Sequence, residues 1–522
     1  MSKDLYTQFD IASLAEKVVD ERGDIPMLCF EGEWISHPEI VNKSHRLQTA
    51  FQGLGLDPND IVCVCMENHP LVYSVFLGGF RTGAWVTPVM YQLTAPELRY
   101  IFQHTECRGI VTYAAKMDVI REAIDGLDHV EWIAIQGGTT DTETTPACYA
   151  LEEMVEQPAA TDRPNAKPDD VSLMLYTSGT TGKPKGVMLT HANIIASGET
   201  LVDAGELHLR PHPQIVATAM PMAHIFGISL MTYDYAVPTD YPLGYMAQEK
   251  WFDAERMMKL VEEHKATDLA VVPTMLSLIL NHPKFDQYDL TSLYKADVGG
   301  APMPVEVGRR FKEAVGCHVR QRYGMTENAG KGSSDRISEP FHAGSVGRPY
   351  KHTDIIIVDD DDKEMPAGQA GEILTRGATT MKGYFKDPEA TAETMRNGWL
   401  HTGDIGYLSE DGWLFVVDRK KDMIIKGGEN IYPCELEEIL YTHPDVADAA
   451  VVGQPHDLYG EEPIAFVVPQ TGVELEMDSV FEHMKRHTTK FKIPSKIHLV
   501  DELPKSGVGK VLRRALRNGN AS

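Results

Sequence analysis

Val171-Ser-Leu-Met-Leu-Tyr176 is an apolar run of strand length that leads without a break into Thr177-Ser-Gly-Thr-Thr-Gly-Lys-Pro-Lys-Gly186. This join constrains the chain more than any other stretch, because a strand opening into a loop of glycines and hydroxyls brings bare backbone up to a ligand. Thr177, Ser178, Thr180 and Thr181 supply short donors, Gly179 and Gly182 allow close approach, and Lys183 and Lys185 supply charge, a set suited to phosphate. The common P-loop has four residues between its glycines and a Lys-Ser or Lys-Thr pair that opens a helix. Here Gly179 and Gly182 flank only Thr180 and Thr181, and Lys183 precedes Pro184, so a kinase-type loop is not expected. A ligand-free surface turn is the alternative reading of the loop alone.

Up to about residue 420, short apolar strands alternate with amphipathic helical stretches, as in Leu269-Ala-Val-Val272 before Thr274 to Asn281. That alternation predicts layered α/β subdomains, with ligands at strand ends. Ile355 to Val358 and Glu372 to Thr375 read as a hairpin around the acidic tip Asp359 to Gly368, whose aspartates are solvated and not a metal site. After the charged cluster Arg419-Lys-Lys-Asp422 come strands at Ala449 to Val452 and Ala465 to Val468 and a helix at Leu475 to His487. The expected division is a large α/β N-terminal domain, 1-420, and a small α+β C-terminal domain, 421-522.

A chain of 522 residues with 43% hydrophobic content can bury more than one core, and its net charge of -27 argues against a nucleic-acid partner. Locally positive pockets for small anions remain compatible with it. Seven cysteines without a CxxC pair fit a reducing, cytoplasmic location, and Cys63 and Cys65 alternate as small core residues of one sheet face. No window approaches a membrane span and the N-terminus lacks a signal-like apolar core, so neither a transmembrane segment nor secretion is expected.

Five further segments follow in order: Pro221-Met-Ala-His-Ile-Phe-Gly227, Gly299-Gly-Ala-Pro-Met-Pro304, Arg322-Tyr-Gly-Met-Thr-Glu327, Gly398-Trp-Leu-His-Thr-Gly-Asp-Ile-Gly406, and Asp418-Arg-Lys-Lys-Asp422 running to Gly428. The turn Pro504-Lys-Ser-Gly-Val-Gly-Lys510 closes the set. Together with the hydroxyl-rich loop they resemble the acyl-adenylate-forming enzymes: AMP-forming acyl-CoA synthetases, luciferase and the adenylation domains of peptide synthetases.

Such an enzyme must bring a weak carboxylate nucleophile in line with the α-phosphorus of ATP while pyrophosphate leaves with its charge neutralised. The resemblance implies ATP and coenzyme A as substrates and Mg²⁺ as cofactor, with Glu327 holding the magnesium and Thr326 donating to the α-phosphate. It implies that Tyr323 lies on adenine, that Gln321 and the backbone of Gly300, Ala301 and Pro302 read the purine edge, and that Asp404 and Arg419 hold the ribose. Lys510 would sit over the α-phosphate during adenylation on a mobile C-terminal domain. Rotation about Lys421 would then withdraw it and bring Gly427 and Gly428 to the pantetheine channel.

His224 resembles the gate histidine beside the acyl carbonyl, with a satisfied histidine before a helix as its alternative. The acid pocket is expected to include His224, Phe226, Gly299, Arg322 and Gly324. A tryptophan stands at the place of Gly324 in relatives that take acetate, so the pocket should be open and the acid larger, of the fatty or aryl kind. Amino-acid-activating domains carry an aspartate where this chain has Ile225, which disfavours an amino acid. Arg322 replaces a glycine common in fatty- and aryl-acid ligases and occurs in malonyl-CoA synthetases. It would clasp a second carboxylate or form an ion pair with Asp297. A dicarboxylate ligase, or an enzyme that loads a carrier protein, are the remaining alternatives, and the oligomeric state stays open, a homodimer included.

Overall fold

The computed structural model describes residues 4–162, 164, 166–177, 183–470, 472–506 and 509–517. Ser178, Gly179, Thr180, Thr181 and Gly182 lie outside the described residues.

Among the described residues the strands form four sheets. In the largest, Ile215–Thr218, Asp268–Val271, Lys295–Gly299 and His318–Tyr323 run side by side and parallel. Parallel neighbours need crossovers, which the helices Pro273–Leu280 and Val305–Val315 supply. Four carboxyl ends thus open on one side of the sheet, where ligands gather in folds of this kind.

The second sheet contains Val171–Thr177, flanked by Trp85–Pro88 in parallel and Lys185–Thr190 in antiparallel. Val62 and Val64 face the core shared by both sheets, whereas Cys63 and Cys65 join a separate cluster on the opposite face, as their alternation requires. The helix Pro70–Thr82 is buried from Leu71 to Thr82, and its apolar residues join that shared core. Helices His191–Gly205 and Ile225–Ala236 touch backbone to backbone, since a Cβ on Gly198 would stand 2.3 Å from the Thr232 carbonyl oxygen.

Thr353–Val358 and Gly371–Gly377 form the expected hairpin, with Ile355 opposite Thr375. The last sheet is built from residues beyond 421, with Val446–His456 against Gly460–Pro469 at its centre and a core of Ile424, Leu436, Val451, Val467 and Met484. These two strands outrun their apolar stretches because ladder pairing continues through polar partners such as Gln454 and Glu462. A large N-terminal α/β domain and a smaller C-terminal one are therefore present, as expected.

Candidate active site

The period of two along His318–Tyr323 divides the site. Gln321 and Tyr323 face one side of the sheet, and Arg320 and Arg322 face the other.

On the first side, the Tyr323 hydroxyl donates to Asp404 Oδ2 at 2.8 Å, and Arg419 Nε meets Asp404 Oδ1 at 2.9 Å. Asp404 and Arg419 are opposite residues of the antiparallel strands Trp399–Leu408 and Leu414–Arg419, so the pairing that builds the hairpin also builds the couple. Asp404 is buried and Arg419 half-exposed, which leaves a carboxylate and a guanidinium edge beside an aromatic ring, groups suited to a sugar diol and a flat base. Gln321 is buried, and its backbone N–H donates to Asp335 Oδ2 at 3.1 Å. Gly300, at a φ of 85°, turns the chain beyond Lys295–Gly299 so that bare backbone faces the same space, followed by Ala301 and Pro302.

Glu327 lies in a short 3-10 turn, Thr326–Asn328, directly after the strand. Burial raises its carboxyl pKa, opposed in part by a hydrogen bond from the Tyr384 hydroxyl to Oε1 at 3.0 Å. The same Tyr384 ring carries Lys185 Nζ 4.9 Å from its centroid. Lys185 stands opposite Thr177 where the two strands leave for the hydroxyl-rich loop, which returns as a strand and not, as in a P-loop, as a helix. Tyr384 therefore couples the base of that loop to Glu327.

Nothing in the sequence singles out Tyr384: it belongs to a two-residue strand, Gly383–Tyr384, laid along Lys185–Thr190, a pairing without periodic pattern. Changing Tyr384 to phenylalanine removes a hydrogen bond to a charged group, about 1.5 kcal/mol. The expected result is a rise of roughly tenfold in KM for magnesium ATP, read by pyrophosphate exchange. A KM matching the unaltered protein would remove Tyr384 from the site. With Oε1 engaged, Glu327 would offer magnesium one carboxylate oxygen, which fits an ion that takes most of its ligands from phosphates and water. Among the described residues, no cluster of three or more His, Cys, Asp or Glu forms a cage for a metal.

Lys510 reaches this site from the C-terminal domain. Its turn is held by Ser506 N–H to Lys510 O at 2.8 Å, and Thr274 Oγ1 donates to Gly509 O at 3.0 Å. Gly509, at a φ of 78°, has no room for a side chain, as a Cβ would stand 2.8 Å from Thr274 Oγ1. Lys510 Cε comes within 3.8 Å of the direction a side chain on Gly300 would take. Burial, with Arg419 adding to it and Asp404 and Glu327 opposing, brings the ammonium pKa down to about 8. Thr274 is a second residue that sequence reasoning missed, its role being set by a contact between segments distant in the chain.

His224 caps the helix Ile225–Ala236, its Nδ1 accepting from Phe226 N–H at 3.2 Å. Nε2 is thereby left to carry the ring proton. Burial and the charge of Lys510 draw its pKa down to about 3, so the imidazole is neutral and faces the same space as the lysine. The satisfied histidine before a helix is therefore what is observed, and its ring lies near enough to Lys510 to feel that charge.

On the other side of the strand, a side chain at Gly299 would meet Arg322 Cβ at 3.6 Å and Phe226 Cε1 at 3.7 Å, so these three residues adjoin. Arg322 itself pairs with Asp297, Nη2 to Oδ2 at 2.7 Å, the ion pair set beside its pocket role above. Asp297 also binds Lys295 and lies 3.7 Å from Arg320 Nε, while Lys295 meets Asp268 at 2.7 Å and Arg210 closes on Asp268.

One expectation needs correction. Gly324 is not an open wall left by a missing side chain: a Cβ there would lie 2.3 Å from the Gly330 carbonyl and 2.7 Å from Lys331 N, so backbone already fills that direction.

Lys421 is exposed, one residue before Asp422, which accepts from Arg517 Nη2 at 3.0 Å. Gly427 and Gly428, both at positive φ, form the exposed two-residue turn between Ile424–Lys426 and Glu429–Ile431, with Gly427 N–H donating to Tyr459 O at 2.8 Å. In the arrangement that brings Lys510 to the site, these glycines face solvent.

The family description AMP-binding enzyme matches residues 15–385, and AMP-binding enzyme C-terminal domain matches residues 435–510. A long-chain-fatty-acid–CoA ligase of Escherichia coli O6:H1 is 32% identical over 97% of this chain and 94% of its own length. The feruloyl-CoA synthase of an Amycolatopsis species is 32% identical over 93% and 94%. Among solved structures, the anthranilate CoA ligase AuaEII with anthranoyl-AMP superposes with a TM-score of 0.89 at 25% identity over 99% of this chain and 98% of that one. ATP-bound MatB from Rhodopseudomonas palustris gives 0.86 at 28% over 98% and 99%. With both family descriptions matched in order, the first over the residues from His224 to Tyr384 and the second reaching Lys510, the chain belongs to the AMP-binding, acyl-adenylate-forming enzymes.

Proposed function

We propose that this AMP-forming acyl-CoA ligase activates a carboxylic acid larger than acetate, of the fatty or aryl class, as acyl-AMP and passes the acyl group to CoA. The observation that carries the reading is the arrival of Lys510, from the small domain, between the Asp404–Arg419 couple and neutral His224. The curated relatives named above are ligases of long-chain fatty acids and of ferulate, which supports an acid of that size.

In the first step a carboxylate oxygen attacks the α-phosphorus, the new P–O bond forms, and the bond to the β-phosphate oxygen breaks. Tyr323, Gln321, Asp404 and Arg419 orient the nucleoside. Lys510 neutralises charge growing on the α-phosphate and carboxylate, and Thr326 donates to the same phosphate. Thr177 and Lys185 flank the departing pyrophosphate with the loop between them. Magnesium held by Glu327 would supply charge neutralisation at the phosphates.

In the second step the CoA sulfur attacks the acyl carbonyl, the C–S bond forms, the bond from the acyl carbon to the AMP phosphate oxygen breaks, and the thiol proton passes to solvent. Lys510 covers the nucleotide in the first arrangement, so the small domain turns about Lys421 to free the approach and bring Gly427 and Gly428 to the thiol's path. His224 Nε2–H lies on the acid's side, placed to donate to the acyl oxygen.

The test is AMP release with ATP, magnesium and CoA across fatty, aryl and dicarboxylic acids, run in parallel without CoA. AMP production that depends on CoA and on one acid class is expected. Adenylate formed without thioester would turn the reading to a carrier-loading enzyme.

A further inference from the structure

The helix Val305–Val315 begins without a cap of its own. Pro304 stands at the N-cap position, where it has no side-chain group to accept from the first turn. Glu306, the acid of that turn, is engaged by Arg309, whose Nε reaches Oε2 at 2.8 Å. The open amide end of such a helix favours negative charge. That charge arrives from the other domain: Glu438, on the helix Pro433–Tyr441, accepts from the Val305 N–H with Oε1 at 3.2 Å and Oε2 at 3.1 Å.

The place of this contact gives it meaning. Gly300 to Val305 is one short stretch of chain, and the small domain touches it at both ends, with Lys510 Cε beside Gly300 and Glu438 at Val305. On the same face Ser277 Oγ donates to Ala447 O at 3.5 Å, near the Thr274–Gly509 bond. Tyr441, one turn beyond Glu438, packs against the core of the parallel sheet as well as that of its own domain. Its hydroxyl donates to Asp448 Oδ1 at 2.5 Å, and Lys505 Nζ holds Oδ2 of the same carboxylate at 2.8 Å. Asp448 thereby ties the helix that carries Glu438 to the turn that carries Lys510.

Resting on the ligase reading above, we propose that Glu438 is a positioning residue for adenylation: by capping Val305–Val315 it latches the small domain in the arrangement that delivers Lys510, and it lets go when that domain turns about Lys421. Glu438 acts through Lys510 and takes no part in bond making. The contact also suits a latch that opens in every turnover. Burial, with Glu437 adding to it and the bond from Val305 opposing, raises the Glu438 carboxyl pKa to about 7, so the closed contact costs hydration that turning restores.

The test uses the full chain and reads the half-reactions as separate single turnovers: acyl-adenylate formation from ATP and acid, and transfer from supplied acyl-adenylate to CoA. Glu438→Ala should slow the first about tenfold, the worth of one hydrogen bond to a charged group, and leave the second unchanged or faster. Glu438→Gln keeps an acceptor oxygen and should retain more of the first rate than Glu438→Ala does. Val305→Pro removes the same bond from the other side, at a first helical position that accepts proline and after a Pro304 whose ψ of 129° suits one. It should reproduce the Glu438→Ala pattern, and the double variant should be no slower than either single one. Equal losses in both half-reactions, an unaltered first step, or additive losses in the double variant overturn the proposal and leave the ligase reading intact. A wild-type chain that forms no acyl-adenylate with any acid overturns both.

Discussion

Replacing Lys510 with alanine is expected to slow adenylation by roughly 10²- to 10³-fold, the scale of losing one pre-placed charge from a transition state. Transfer from a supplied acyl-adenylate to CoA should be affected far less, because the role proposed for the lysine is confined to the first step. Single-turnover rates for each half-reaction separate the two. Equal losses in both would remove Lys510 from the chemistry of adenylation.

A pH signature goes with this. The ammonium is charged below its pKa and neutral above it, and in the free enzyme that pKa is lowered to about 8. Adenylation measured as kcat/KM should therefore fall as pH rises through about 8. Lys510→Arg, charged throughout this range, should lose that alkaline limb whatever its absolute rate. A wild-type profile flat from pH 7 to 9 would show that the charge is not the working quantity.

The second large effect concerns stability. Asp297 sits among Lys295, Arg320 and Arg322, all buried, and the cluster pulls its carboxyl pKa far down despite the burial that would raise it. Asp297→Ala leaves Arg320 and Arg322 without their carboxylate in a low-dielectric interior, while Lys295 keeps Asp268, and removal of one partner from such a pair costs about 3–5 kcal/mol. The midpoint of urea unfolding should drop, and Arg322→Met in the same chain should recover part of the loss. Additive effects in the double-mutant cycle would show that the two side chains do not depend on each other.

Much of the architecture was legible because it is written in local periods. Strand alternation placed Cys63 and Cys65 on one face, the hairpin at Ile355 to Val358 showed in its turn residues, and the motifs singled out Asp404 and Arg419, which the fold pairs across two strands. The roles of Tyr384 and Thr274 escaped because each depends on contact between segments far apart in sequence, which no period marks. Gly324 was misread for a related reason. A glycine in a motif looks like absent bulk, whereas the space beside it is taken by the Gly330–Lys331 peptide, visible only once the chain has folded back. Asp297, by contrast, was foreseeable as a partner for Arg322, since the two lie on adjacent strands two residues out of register and so on the same face.

The strand His318–Tyr323 turns Gln321 and Tyr323 to one face and Arg320 and Arg322 to the other, so in the proposed function the nucleotide and the acid would meet different faces. Neighbours in sequence are thereby strangers in space. Substitutions at alternate positions can retune which acid is accepted while the machinery that draws on ATP is inherited untouched, so a lineage built on this strand can diversify its diet without renegotiating its energy supply.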